Sequence, residues 1–595
     1  MDRLLGALVH RGPDAEGRII GSGWALGARR LAVIDLVTGD QPVSNETAQV
    51  HAVLNGEIYN YRELREELLA RGHRLRSAGD TEVLVHLWED EGPAMLHRLR
   101  GMFALAIADE KRRTVFLARD RVGKKPLYWV QHGAAVVFAS ELKALRAALP
   151  GQPALDRDAL EAFLMFGFVP EGQCIYEGYA KLPPAHWLSV DLASGGITTQ
   201  RYWRLDLTPD PAISFDRARR TVVGLLDESV ALRLRADVPL AVFLSGGLDS
   251  GVITSLAARR QTSLRALHVA FRGETGELEL ARAVAARAGV SLSELVVDAD
   301  DSLRALPMLA EVYDEPLADP SCIPTYLIAR AARAEATVVL NGDGGDESLA
   351  GYRRFLAQRL RAWPGAARWG RWAGRAASAL APLAGRPRGW GRRLGDGLAA
   401  VDPYLAWGPV KLSAAETAAL TGGSVTVPAP YRALVEHHAA LGPVNRLRAL
   451  EMEFFLPGDL LVKMDRATMA CSLEARSPLL DHVMLERAAG FPPGVLLRGW
   501  RTKAVLRAVA RDMLPAAVCR APKRGFEVPL ERWLAGPWAA EVRALLEDPG
   551  SAVRGTLDPH GLEPWLEWRQ RPDRQRAARA VYTLLTLEHW LRRWL

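Results

Sequence analysis

The chain has 595 residues, of which 49% are hydrophobic and 24% charged, with a formal net charge of +7. That length exceeds one ordinary core and points to two domains or more, and the composition excludes a globally disordered chain. The basic residues are mostly arginines scattered among nearly as many carboxylates, with no clustered stripe, so no nucleic-acid partner is expected. No apolar run is long enough to span a bilayer, so no transmembrane segment is expected either.

The opening MDRLLGALVHRGPDAEG carries an apolar run, LLGALV, too short for a signal peptide, and it runs straight into the turn His10-Arg11-Gly12-Pro13-Asp14. Residues 1–150 read as a β-rich domain with helices on its faces. QVHAVLNGEIYN is a strand ended by Asn55-Gly56. YRELREELLARG follows as a helix with Leu64 and Leu68 on one face and Gly72 as its stop. RGMFALAIAD, TVFLARDRVGKKPLYW and AAVVFASELKAL read as consecutive strands. Proline and glycine punctuate 151–215, an expected linker. From 216 to 595 the pattern changes. VPLAVFL, LRALHVAF and ATVVL are short buried strands, each followed by a loop and a helical stretch, which reads as a parallel α/β sheet, and the chain beyond residue 400 reads as mostly helical.

A segment at about 355–395 is rich in Arg and Trp. It could be a membrane-surface or partner-binding helix. Its prolines and glycines interrupt any long amphipathic face, which favours a helical insertion whose tryptophans pack inward. The four cysteines, Cys174, Cys322, Cys471 and Cys519, are far apart with no CxxC pair. They imply neither a cysteine zinc site nor a disulfide framework, and a reducing cytoplasm suits them.

The most informative stretch is LAVFLSGGLDSGVITSLAARR. A strand ending at Leu244 leads through Ser245, Gly246, Gly247, Leu248, Asp249 and Ser250 into a helix expected to begin near Val252. Glycines let backbone N–H groups approach a polyanion, serine hydroxyls add donors, and a helix N-terminus adds partial positive charge. A plain glycine-rich turn is the bland alternative, but this loop lacks the GK[ST] ending of a Walker A loop and carries an acid suited to a metal. ATVVLNGDGGDESLAGYRRF repeats the strand-to-glycine-turn pattern. In a parallel sheet both loops emerge at the same carboxyl edge, with Asp343, Asp346 and Glu347 facing the phosphate site. Acids in a loop usually mark only a turn; beside a phosphate they are what Mg²⁺ requires.

SGGLDS resembles the pyrophosphate loop of N-type ATP pyrophosphatases. Together with NGDGGDE, FLPGDLLVKMDRATMACSLEARSPLLDH, RTKAVLRAVARDMLP and CRAPKRGFEVPLERWL it resembles the synthetase domain of glutamine-dependent asparagine synthetases. HRGPDAEG, RRLAVIDL, LNGEIYNYRELREEL, GDTEVL, RGMFALAIAD and FASELKAL resemble that family's Ntn-type αββα glutaminase domain, so the likeness covers nearly the whole chain.

The resemblance implies ATP on the 245–250 loop and on Asn341 and Gly342, with Leu244 and Val269 near the adenosine and Mg²⁺ on Asp249 and Asp346. It implies that Lys503 neutralises developing phosphate charge and that Asp343 manages protons when ammonia attacks. For glutamine it implies Arg30 on the carboxylate, Leu31 as a further glutamine-binding residue, Asn55 and Gly56 as the oxyanion pair, and Glu57 and Asp80 on the amino group. Asp465, Arg466, Glu474, Arg476 and Asp481 line the nucleotide and ammonia path in that family; an ion-pair network fixing two helices is an equal reading of them.

The family's glutaminase starts with a cysteine nucleophile ahead of HRGPD. This sequence has none there, and Cys174 is too far along to serve. The retained glutamine-pocket set suggests a start assigned too far downstream, and no glutamine hydrolysis is expected from the chain as written. Gly251, Cys471 and Ser348-Leu349-Ala350 depart from the usual motifs without removing a group needed for adenylation, so the acceptor stays open. Aspartate, another carboxylate as in relatives tied to polysaccharide or exosortase loci, and a catalytically inactive regulatory homologue are the three readings. A homodimer is expected by resemblance alone.

Overall fold

The computed structural model describes residues 1–272, 276–361, 365, 370, 372, 376, 400, 402–522, 528–571 and 573–595. Most of the Arg/Trp-rich segment at 355–395, and the KRGF stretch, lie outside the described residues. Among the described residues no helix is long and apolar enough to cross a membrane.

In the N-terminal half an antiparallel sheet runs in the order Ile197–Arg201, His186–Asp191, Thr114–Arg119, Gly101–Asp109, Val50–Ile58, Val43–Ser44. Alternation along the central strand sorts its two faces. Phe103, Leu105 and Ile107 join the core that contains Leu64, Leu68, Val83, Leu84 and Leu87 of the helices Tyr61–Ala70 and Val83–Glu91. Ala104, Ala106 and Ala108 share a second core with Trp24, Leu26, Leu127 and Leu182, where the small alanines let another β layer approach. That layer is the hairpin Ala15–Gly21 with Trp24–Arg30 and the sheet of Ala135–Ala139, Tyr128–His132 and Tyr179–Lys181. The helices Asp2–Gly6 and Leu142–Ala148 pack against it. The αββα expectation holds.

Three local expectations differ. The strand through Asn55-Gly56 continues to Ile58, because Gly56 at φ +135° lets the backbone pass Met102 O, where a methyl would stand 2.0 Å away. AAVVFASELKAL is a strand only to Ala139; with Leu142, Ala144 and Leu145 buried, its second part is a helix. The expected linker 151–215 contributes His186–Asp191 and Ile197–Arg201 to the first sheet, so backbone pairing and not punctuation sets its role.

The C-terminal half holds a sheet in the order Ser291–Val297, Arg265–Phe271, Leu240–Phe243, Val338–Leu340, Glu474–Arg476, with every pairing parallel. The chain enters at the central strand, moves outward one way through two strands, then returns to build the other side. The strand order therefore reverses between Leu240–Phe243 and Val338–Leu340, and their diverging loops open a crevice at the carboxyl ends.

The two halves are joined by buried charge. Arg11 Nη1 lies 2.7 Å from Glu141 Oε1 and 2.9 Å from Asp465 Oδ2, Lys125 Nζ is 3.2 Å from Asp465 Oδ1, and Arg466 Nη1 is 2.9 Å from Glu141 Oε1. Asp481 takes Arg100 and Arg233, each at 2.9 Å. The acids and arginines of DRATMACSLEARSPLLDH thus find most of their partners outside their own segment.

Candidate active site

The crevice opens into a cavity of about 1280 Å³. On one side Leu240–Phe243 leads through Ser245-Gly246-Gly247 into the helix Leu248–Ala258. The helix begins four residues before the expected Val252, so Asp249 and Ser250 lie in its first turn. Gly247 caps it without a side-chain hydrogen bond, so first-turn N–H groups stay available to an anion. Ser245 N donates to Ser250 Oγ at 3.1 Å, and the two hydroxyls lie 2.9 Å apart, which tightens the turn. Gly246 has φ +73°, and a methyl there would stand 2.5 Å from Glu277 O. Only glycine suits both demands.

Opposite stands the turn after Val338–Leu340. A methyl on Gly342 would meet Ser250 N at 2.8 Å, so the two loops are in direct contact. Asn341 N donates to Arg476 O at 2.9 Å, and Ser477 Oγ donates to Asn341 Oδ1 at 2.6 Å, which ties this turn to the edge strand. Asp346 and Glu347 belong to the short helix Gly345–Ser348. Burial, with Asp346 adding to it, pushes the Glu347 carboxyl above its usual range.

Lys503 closes the group. It precedes the helix Ala504–Ala510 at φ +50°, a conformation uncommon for a lysine, and its Nζ pairs with Asp249 Oδ2 and lies 2.7 Å from Asp346 Oδ1. Gly351, which no motif reading singled out, makes room: a methyl there would stand 1.9 Å from Asp346 Oδ1 and 2.2 Å from Lys503 Cε. Asp249 Oδ1 is buried without a hydrogen bond, and this carboxylate pair has the hard-oxygen chemistry that Mg²⁺ takes. Leu244, Ser245, Gly246, Gly247, Asp249, Ser250, Val269, Asn341, Gly342, Asp343, Asp346 and Lys503 all line the cavity, whereas Asp465, Arg466, Glu474, Arg476 and Asp481 do not.

Sequence reasoning missed a further charged wall of the same cavity. Lys463 Nζ sits 2.7 Å from Asp319 Oδ2 and 2.9 Å from Ser321 Oγ, with Asp459 and Lys411 nearby. Burial, then the Asp319 charge, pushes Asp459 up to about 8, and burial pulls Lys411 down. The spacing of Asp459 and Lys463 in FLPGDLLVKMDR was the available signal. Asp459 lies in a π-helical stretch, Glu451–Leu460, whose wider turn departs from the regular helical repeat used to read a face.

A second cavity, of about 580 Å³, lies in the N-terminal half and is lined by Arg30, Leu31, Asn55, Gly56, Glu57 and Asp80. Arg30 donates to Asp40 Oδ1 and Ile34 O, both at 3.0 Å. Asn55 Nδ2 donates to Ser140 Oγ at 3.3 Å. Asp80 accepts from Ile58 N at 2.8 Å, and burial still pushes it up to about 6. Glu57 is held well above the usual carboxylate range by burial and by Asp80, against the pull of Arg476, and its Oε2 makes no hydrogen bond. Such a pair of under-compensated acids favours a cation. Met469 and Glu474 of the other half also line this cavity, a contribution no local pattern announced. None of the four cysteines does.

The sequence model described as asparagine synthase matches residues 221–592, and that described as glutamine amidotransferase domain matches residues 1–203. The chain belongs to the asparagine synthase family. Among relatives in this family, asparagine synthetase (glutamine-hydrolyzing) 1 of Bacillus subtilis is 31% identical over 563 residues, 91% of this chain and 85% of its own. Asparagine synthetase (glutamine-hydrolyzing) 3 of the same organism is 30% identical over 543 residues, 87% and 82%. Amidase chry2 of Gibberella zeae is 27% identical over 626 residues, 94% and 89%. A solved Bacillus subtilis glutamine phosphoribosylpyrophosphate amidotransferase covers 49% of this chain and 77% of its own at 17% identity and a TM-score of 0.26. Membership makes this chain a carbon–nitrogen ligase of the asparagine synthetase type.

Proposed function

We propose that the chain amidates aspartate to asparagine through an acyl-adenylate, releasing AMP and pyrophosphate. The observation that carries this reading is Lys503, which bridges Asp249 and Asp346 in front of a helix whose N-terminal N–H groups are uncapped. The 245–250 turn and Gly342 would take the ATP phosphates, and Leu244 and Val269 the adenosine side. The acceptor carboxylate attacks the α-phosphorus, and pyrophosphate leaves. Ammonia then attacks the acyl carbon, AMP leaves, and Asp343 would accept the surplus proton. Lys503 offsets charge that grows on the phosphates during the first step. Asp249 and Asp346 would hold Mg²⁺, which supplies further charge neutralisation there.

The wall of Asp319, Lys463, Asp459 and Lys411 supports an amino-acid acceptor, because acids and lysines side by side suit an ammonium and a carboxylate on one small molecule. The smaller cavity would bind glutamine, its ammonium on Glu57 and Asp80. Nitrogen would come from ammonia, or from glutamine whose amide is attacked by a cysteine thiol in that cavity. ATP and free amino acids as substrates suit a cytoplasmic setting.

The test is AMP and pyrophosphate release from MgATP with aspartate, comparing ammonium with glutamine, on this chain and on one extended upstream to a cysteine. Asparagine formed with ammonium supports the reading, and glutamine use by the extended chain alone assigns the nitrogen route. No turnover of aspartate while ATP binds overturns the acceptor and turns the search to sugar carboxylates.

A further inference from the structure

We propose that the N-terminal half carries a transition-metal site, best suited to Zn²⁺, built from His73, His86, Glu46 and Glu89. It is separate from both cavities, since none of these residues lines either. One donor atom from each of the four lies within 4.8 Å of every other. His86 and Glu89 stand at i and i+3 on the helix Val83–Glu91, His73 follows the helix Tyr61–Ala70, and Glu46 comes from the turn between the first sheet's edge strand and its neighbour. Three separate elements converge on one point.

The electrostatics of that point call for a cation. His86 is completely buried, and neither ring nitrogen makes a hydrogen bond. Its Nδ1 faces Glu46 Oε2 at 3.3 Å and Glu89 Oε2 at 3.7 Å, while His73 Nδ1 faces Glu46 Oε1 at 3.6 Å. Glu89 Oε2 is likewise buried without a hydrogen bond. With metal–ligand bonds of about 2.0–2.1 Å, neighbouring donors of a tetrahedral Zn²⁺ lie about 3.3–3.5 Å apart, so the pairs at 3.3, 3.6 and 3.7 Å stand close to a metal shell and the remaining donors, within 4.8 Å, close onto the ion by side-chain rotation.

The outer contacts agree. His73 Nε2 lies 3.2 Å from Asp90 Oδ1 and His86 Nε2 lies 3.8 Å from Glu82 Oε1. Each imidazole thus has one nitrogen toward a carboxylate and the other, Nδ1, toward the shared Glu46, the arrangement by which a carboxylate orients a metal-bound histidine. Arg74 N also donates to Glu46 Oε1 at 2.7 Å, which holds that carboxylate in place. Two imidazoles among the donors favour Zn²⁺ over Mg²⁺ or Ca²⁺, which prefer oxygen. The ion would staple residue 73 to residues 86 and 89, and so brace the loop that carries Asp80 into the smaller cavity.

The experiment is a Co²⁺ titration of the full chain, stripped with chelator and kept in excess Mg²⁺, followed by visible d–d absorption and by competition with Zn²⁺. One equivalent with a tetrahedral spectrum, displaced by Zn²⁺, is expected. His73→Gln and Glu89→Gln, both at the partly exposed rim and therefore unlike His86 tolerable to the fold, are expected to weaken Co²⁺ binding at least about tenfold. Circular dichroism unchanged in both variants verifies folding, and Zn²⁺ is expected to raise the Tm of the parent chain but not of the variants. No saturable spectrum, or unchanged affinity in both folded variants, overturns the site and leaves the cluster as a histidine–carboxylate network.

Discussion

Arg476 places its guanidinium Nη2 3.2 Å from Glu57 Oε1, so the edge strand of the parallel sheet directly touches the acid of the other half's cavity. The same guanidinium holds Glu474 at 2.8 Å and donates to Arg233 O at 3.0 Å and Arg235 O at 2.6 Å, while Arg476 O accepts from Asn341 N. One buried residue therefore contacts the candidate glutamine pocket, the central turn of the ATP-type crevice and the helix that leads into the sheet.

Replacing Arg476 with Met should cost about 3–5 kcal/mol, because it leaves Glu57 and Glu474 buried without their cation. Urea unfolding would measure it. Arg476 pulls the Glu57 carboxyl down, so its loss should also shift the pH at which the folded variant binds an ammonium-bearing ligand to higher values.

Asp80 gives the smaller cavity a pH dependence. Its carboxyl is pushed up to about 6, so below that pH it is neutral and no longer attracts an ammonium. Glutamine affinity should fall as pH drops through 6, by at most about tenfold per unit, and binding near pH 6 should release protons. Calorimetry in two buffers of different ionisation enthalpy would show both. For the free protein the sign is opposite: a raised carboxyl favours folding at low pH, and that contribution is lost as pH rises from about 4 through 6.

Lys503→Met should reduce aspartate-dependent ATP–pyrophosphate exchange by about 10²–10³-fold, the usual loss when a preorganised charge is removed from a developing anion. Circular dichroism should stay unchanged.

Gly351→Ala tests geometry instead of charge. The added methyl would occupy the space between Asp346 and Lys503, so the exchange should fall although every titratable group remains. A variant with full exchange and unchanged Tm would contradict the close approach described here.

Asp465→Asn keeps shape but removes the charge shared by Arg11 and Lys125. Burial opposes ionisation of Asp465, yet Arg11 and Lys125 overcome it and hold the carboxyl far below its usual range. A loss of about 3–5 kcal/mol is expected by chemical denaturation. Because a depressed carboxyl favours folding above its unfolded pKa, parent and variant should converge in acid.

The sequence by itself determined the crevice: strand, glycine turn and helix are local, and Gly246, Asp249 and Ser250 lie within one continuous stretch whose chemistry reads without a fold. The helix starts at Leu248 and not at Val252, because the residues Leu248 to Gly251 carry loop and helix signals together and only the backbone hydrogen bonds choose between them. Helix Val83–Glu91 is illegible in the sequence for a related reason: Val83 to Trp88 are all buried, so no polar face marks a period. What tertiary structure alone decided is partnership across distance. Glu474 could have paired within its own segment or lined a remote pocket, Arg11 could have been a surface turn residue, and Glu46 gives no hint of His86. Charge pairs act over a few ångströms with no preferred sequence separation, so their partners emerge only when folding brings the two halves, and the elements within each, into contact.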